Sequence, residues 1–204
     1  GTTNTSYNGA VQIMALGTDV YAETELLVQS ATSTVGSATA AGNSATVYNE
    51  WGFATLGRDS SELYQGNGAD VVAVSTVNLD NWSGTSGATA YGVGNSGLIS
   101  NVGSDTGLFA NQENLGDVYA GAAFNGSTSD GSSGYVSSTA FGNALTATLC
   151  YTCTSDGILY GSVTQTNSGS ITAYGTTTTS GNGFIQGSAI AIGNTATFQK
   201  IGTN

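Results

Sequence analysis

Histidine and proline are absent from the 204 residues, and only Arg58 and Lys200 carry positive charge. The missing histidine removes the usual general base, the commonest metal ligand and every Ser-His or Cys-His nucleophile pair. The two cations face 13 acidic residues for a net charge of −11. Nothing here neutralises phosphate, so nucleic acid and anionic membrane surfaces are poor partners. No apolar run approaches the ~18–20 residues of a membrane-spanning helix. Charged residues make up 7% of the chain, against roughly a quarter in an ordinary globular protein. The chain opens on Gly1 rather than Met, and with its neutral composition this reads as an exported protein after processing.

What fills the space is glycine, at 31 positions, with Ser, Thr, Asn and short alternating apolar runs. Alternation of that kind separates a folded β chain from a disordered one. Near-copies recur in the chain: "GSATAAGNSATV", "GATAYGVGNSGLI", "SSTAFGNALTATL" and "GSAIAIGNTATF". Their Gly-Asn steps put asparagine at Asn43, Asn95, Asn143 and Asn194. A second marker places Asp19, Asp70, Asp117 and Ser170 at similar intervals, and a third, "QGN", "QEN" and "QTN", contributes Gln65, Gln112 and Gln165. Four repeats of about fifty residues follow, at about 18–68, 69–115, 116–168 and 169–204, preceded by a segment 1–17.

The expected fold is all-β, a β-solenoid-like array; a β-sandwich of duplicated hairpins is the alternative. The markers split each repeat into halves of about 25 residues, a natural coil length, which predicts two coils per repeat. In such a stack equivalent Asn and Gln side chains form a hydrogen-bonded ladder, here Asn43, Asn95, Asn143 and Asn194 with Gln65, Gln112 and Gln165. Small residues recur because one interior environment recurs.

The Ser/Gln/Gly/Asn punctuation of "SELYQGNGADVVAVSTVN" at 61–78 resembles that of curlin subunits, secreted bacterial fibre proteins with strand-turn-strand coils. The "ATAAGNSATV" blocks with "DVYA" upstream resemble holdfast anchor proteins, which fix adhesive to the envelope of stalked bacteria. The resemblance implies a secreted surface fibre subunit. Curlin repeats are about half as long as these, so that likeness requires two coils per repeat.

Candidate chemistry is sparse. Glu23 and Glu25, two apart on one strand face, are read as a solvated acidic face rather than a catalytic pair. The aspartate row is read as turn residues rather than a calcium row, since no Ca-loop motif occurs. Cys150 and Cys153 have no further Cys or His to complete a zinc site. A local disulfide at a corner is expected of them, with free thiols as the alternative. Trp51, Trp82 and ten tyrosines suit sugar stacking and subunit packing equally. Asn4, Asn81 and Asn125 open sequons.

The function expected is structural and non-enzymatic, without cofactor or metal: a subunit of a secreted extracellular filament or surface-anchored adhesive fibre. Its partners are copies of itself, and beyond them a surface polysaccharide or an anchor protein. Val11, Ile13 and Ala15 mark a candidate assembly strand at the N-terminal end, where the chain shows none of the Pro, Lys or helical caps that blunt β edges. A carbohydrate-binding or ice-binding solenoid module is the alternative.

Overall fold

The computed structural model describes residues 5–8, 10–58, 61–128, 133–150, 157–180 and 183–202. Four coils stack along one axis. The first comprises β1 (Thr5–Asn8), β2 (Val11–Met14), β3 (Asp19–Val28) and β4 (Val35–Glu50). The second comprises β5 (Phe53–Leu56), β6 (Leu63–Asn67), β7 (Asp70–Trp82) and β8 (Thr85–Val102). The third has β9 (Thr106–Asn114), β10 (Val118–Thr128) and β11 (Ser133–Cys150), and the fourth β12 (Leu159–Asn167), β13 (Ile171–Ser180) and β14 (Phe184–Ile201).

Every strand pairs in parallel with its counterpart one coil away, forming three sheets. The first sheet holds β1, β2, β5, β6, β9 and β12, the second β3, β7, β10 and β13, and the third β4, β8, β11 and β14. Duplicated hairpins would pair antiparallel, so the sandwich alternative is excluded. The expectation of two coils per repeat is corrected, because one coil consumes the whole repeat. The two markers lie half a repeat apart because they occupy opposite walls of the same coil: the aspartates open the second sheet and the Gly-Asn steps sit midway along the third. The curlin-type coil is therefore not what forms.

The third sheet is long enough to face both of the others. Its first half closes an alanine-rich core with the second sheet, including Ala38, Ala40, Ala73, Ala90, Ala120 and Ala140 around Val71 and Val77. Its second half closes another core with the first sheet, through Leu56, Leu63, Ile99, Leu108 and Leu145. Alanines bury little area each, so the first core leans on its largest members. Trp82 and Phe124 meet there edge to face with ring centroids 5.1 Å apart, and Trp82 Nε1 donates to Ser133 O at 3.3 Å. The other tryptophan, Trp51, turns the first coil into the second at φ 63°, its ring lying over Gly103.

Candidate functional site

Between the two apolar cores runs a polar spine. Asn43, Asn95, Asn143 and Asn194 stand in one row of the third sheet, and the first three are buried. Asn43 Nδ2 donates to Asn95 Oδ1 at 2.7 Å, Asn95 to Asn143 at 2.8 Å and Asn143 to Asn194 at 2.7 Å. The same amides stitch the third sheet to the first one coil further on, reaching Gly66 O, Glu113 O and Thr166 O.

Opposite, Gln12, Gln65, Gln112 and Gln165 form a second ladder that points the other way. Gln65 Nε2 donates back to Gln12 Oε1 at 2.7 Å, Gln112 to Gln65 at 2.6 Å and Gln165 to Gln112 at 2.9 Å. The first member, Gln12, is one that sequence reasoning missed, because no "QxN" marker surrounds it.

A third ladder was also missed. Asn67 donates to Asn114 at 2.7 Å and Asn114 to Asn167 at 2.8 Å, while all three cap the turn into the second sheet through Ala69 O, Gly116 O and Gly169 O. Its signal lay in plain view: residues two apart in a strand share a face, so the Asn of each "QxN" must point inward with its Gln.

At the first coil this third ladder meets Met14, the register partner of Asn67, and Asn67 Oδ1 is buried without a hydrogen-bond partner. Ladder polarity means that an asparagine at 14 would donate into that vacant oxygen. Met14→Asn should therefore raise the thermal unfolding midpoint. An orphaned buried acceptor costs about 1–3 kcal/mol, and part is offset by losing the half-buried thioether. A net gain of about 1 kcal/mol corresponds to roughly 2–4 °C at this chain length. An unchanged or lower midpoint counts against the ladder.

The Gly-Asn glycines belong to this spine. The pairing register passes over Gly42, Gly94, Gly142 and Gly193 in each coil. A Cβ on Gly94 would lie 2.2 Å from Asn114 Oδ1 and 2.7 Å from Gly142 O, and one on Gly142 would lie 2.3 Å from Asn167 Oδ1 and 2.5 Å from Gly193 O. At Gly42, Gly94 and Gly142 glycine is required by close approach, not by a turn.

The aspartates act at the corners. Asp70 Oδ1 accepts from Asp117 N at 2.9 Å, Asp117 Oδ1 from Ser170 N at 2.7 Å, and Asp105 Oδ1 from Ile158 N at 2.8 Å, so each carboxylate satisfies a backbone donor one coil on. Asp19 opens β3 in register with Asp70. No group of three or more metal-type ligands occurs among the described residues. Glu23 and Glu25 are exposed on the outer face of β3, and Glu23 accepts from the Tyr21 hydroxyl at 3.0 Å, which holds that phenol above its usual pKa. Glu113 does the same for Tyr64. Burial raises Tyr91, whose ring packs against Phe141.

Val11 and Ile13 project outward, 71% and 68% exposed, because the spine takes Gln12 from this strand instead; Ala15 follows its end. β2 is paired with β6 of its own chain. Cys150 closes β11, whereas Cys153 and the sequon residue Asn4 lie outside the described residues, and the disulfide with them.

Among the described residues the strands at both ends of the stack have no neighbour on their outer side, and the fourth coil also leaves its interior uncovered. Ser138, Ala140, Asn143, Leu145 and Ala147 of the third coil are at most 1% exposed. Their register partners in the fourth, Ala189, Ala191, Asn194, Ala196 and Phe198, are all exposed. A family model described as holdfast attachment protein D matches residues 1–114, more than half of the chain and two coils with the opening strand of the third. The chain belongs to the holdfast attachment protein D family. No curated protein and no solved structure matches it. Membership in the holdfast attachment protein D family supports a role in surface adhesion or holdfast anchoring and implies a cell-surface or extracellular location. The matched segment of this holdfast attachment protein D chain contains Gln12, Gln65, Gln112, Asn43 and Asn95, so more than half of the spine lies within it.

Proposed function

We propose that the chain is a structural subunit of a secreted, surface-anchored adhesive filament, that it polymerises head to tail through β-strand pairing, and that it performs no catalysis. The carrying observation is the fourth coil: the inward side chains of β14 are exposed although the same positions one coil earlier are buried, and Val163, Gln165, Asn167, Ile171 and Ala173 of its other two strands are only half-buried. An open parallel edge offers unpaired N–H and C=O groups to another strand, and an open core offers apolar area. A heterologous contact between unlike ends propagates without closing. Coil-on-coil stacking is favoured over donation of residues 1–17, since β2 already has its partner within the chain.

Negative-stain microscopy and sedimentation of the purified chain across a concentration series should show filaments lengthening with concentration. A monomer throughout the series removes the filament reading and leaves a monomeric attachment module.

A further inference from the structure

We propose that the outer edge of the fourth coil seats the first coil of a second copy in one register: Asn194 beside Asn43, Gln165 beside Gln12, and Gly193 against Gly42. This rests on the filament reading and specifies its interface. Four independent features of the two ends support it.

The first is ladder direction. Asn43, Asn95 and Asn143 of the third sheet donate forward, and at the end of the stack Asn194 Nδ2 reaches, among the described residues, only Gln165 O, at 3.3 Å. Its forward partner would be Asn43 Oδ1 of the next copy, an oxygen with no hydrogen bond among the described residues. Each glutamine donates backward, so Gln12 Nε2 of the next copy completes the row at Gln165 Oε1. Both ladders continue although they run in opposite senses, which a reversed or shifted coil would not allow.

The second is Gly193. The glycines at 42, 94 and 142 each lie against the backbone carbonyl of the next glycine in the row, whereas a Cβ on Gly193 would meet nothing nearer than Asn167 Nδ2 at 3.6 Å. Within one subunit the fourth coil has room for a side chain at this position. Only a further coil stacked on it makes the glycine necessary.

The third is charge. Residues 5–50 of the first coil carry Asp19, Glu23, Glu25 and Glu50, while residues 157–202 of the fourth carry no carboxylate side chain and contain Lys200. Head-to-head contact would set carboxylates against carboxylates, and head-to-tail contact avoids it. Lys200 lies in the row of Asn49, Asn101 and Leu149, which puts its ammonium beside the Asn49 amide of the next copy.

The fourth is length. The register carries Gln186–Ile201 of β14 onto Val35–Glu50 of β4, and residues 171–179 of β13 onto residues 20–28 of β3. One position does not match, since Asn167 meets Met14, where the third ladder stops.

The test is Gly193→Ala in the full chain, with Gly187→Ala as control. The Gly187 row-mates Val136 and Ala88 already carry side chains, so alanine is accommodated there with or without a neighbour. Both variants should melt like the parent when dispersed, and only Gly193→Ala should abolish filaments. A mixture of Thr195→Cys and Ser44→Cys chains should cross-link between copies, because that register brings their Cα atoms to the ~4.8 Å of neighbouring strands, within disulfide reach. Parent-like filaments from Gly193→Ala, a lowered melting point for it, or cross-linking only in a shifted pair would overturn the register while leaving a filament. Absence of filaments from the parent would remove the filament reading and this interface with it.

Discussion

Gly94→Ala and Gly142→Ala are expected to collapse the fold, while Gly193→Ala leaves the dispersed subunit as stable as the parent. The added methyl at 94 would sit 2.2 Å from Asn114 Oδ1 and 2.7 Å from a carbonyl oxygen, and neither atom can retreat. The asparagine is held at 2.7 Å by Asn67 and at 2.8 Å to Asn167, and the carbonyl belongs to the next coil's strand. Relief therefore breaks ladder bonds. Overpacking costs about 1–3 kcal/mol, and each buried polar group left unpaired adds about 1–3 kcal/mol. With two ladder partners unpaired the sum is about 3–9 kcal/mol, a large share of the ~5–15 kcal/mol that holds a domain together. At roughly 2–4 °C per kcal/mol the midpoint should fall by about 10 °C or more, or soluble protein should be lost. Gly193→Ala meets only ordinary van der Waals contact with Asn167, at 3.6 Å and beyond, and should stay within about 0.5 kcal/mol of the parent. Thermal melts followed by circular dichroism of the three variants, dispersed, check this. Equal midpoints for all three would mean that the third-sheet glycines are not packed against the spine.

The second large effect belongs to Asn95→Ala. This residue is fully buried and joins three hydrogen bonds: it accepts from Asn43, donates to Asn143 and donates to Glu113 O. Alanine leaves Asn43 Nδ2 and Asn143 Oδ1 facing a gap too dry to replace what they lost. A destabilisation of about 3–6 kcal/mol is expected from two orphaned amides and one lost cross-link between sheets. Asn194→Ala should cost no more than about 1 kcal/mol, because its partners are one ladder bond and one long contact at the solvent-exposed end. Chemical denaturation of the two variants supplies the comparison. If both lose the same stability, the spine contributes no more inside than at its end.

The Gly-Asn spacing is legible because every coil must rebuild one interior in which an inward amide and a close backbone approach coincide. Such a constraint fixes residue identity, and repetition exposes it. Coil length was not legible: two markers half a repeat apart look the same whether they lie on successive coils or on facing walls of one coil. The inward face of β2 was also hidden. Alternation of Val11 and Ile13 suggests an apolar side turned toward packing, yet the interior at that level is polar and takes Gln12 from this strand. Apolar alternation locates a core only where the core is apolar. The Met14 break in the third ladder needed the register, since a lone methionine near one end of a chain carries no signal by itself.

The opposed senses of the ladders bear on how the stack behaves as it lengthens. In an α-helix all peptide dipoles add, so each terminus carries a partial charge that its capping groups must meet. Here the Gln amides point toward the first coil and those of the two Asn ladders point away from it, so their dipole moments partly cancel at every level. Lengthening the stack thus adds little net polarisation along the axis. The part of the cost of adding the next coil that comes from the ladder dipoles therefore changes little as the stack lengthens.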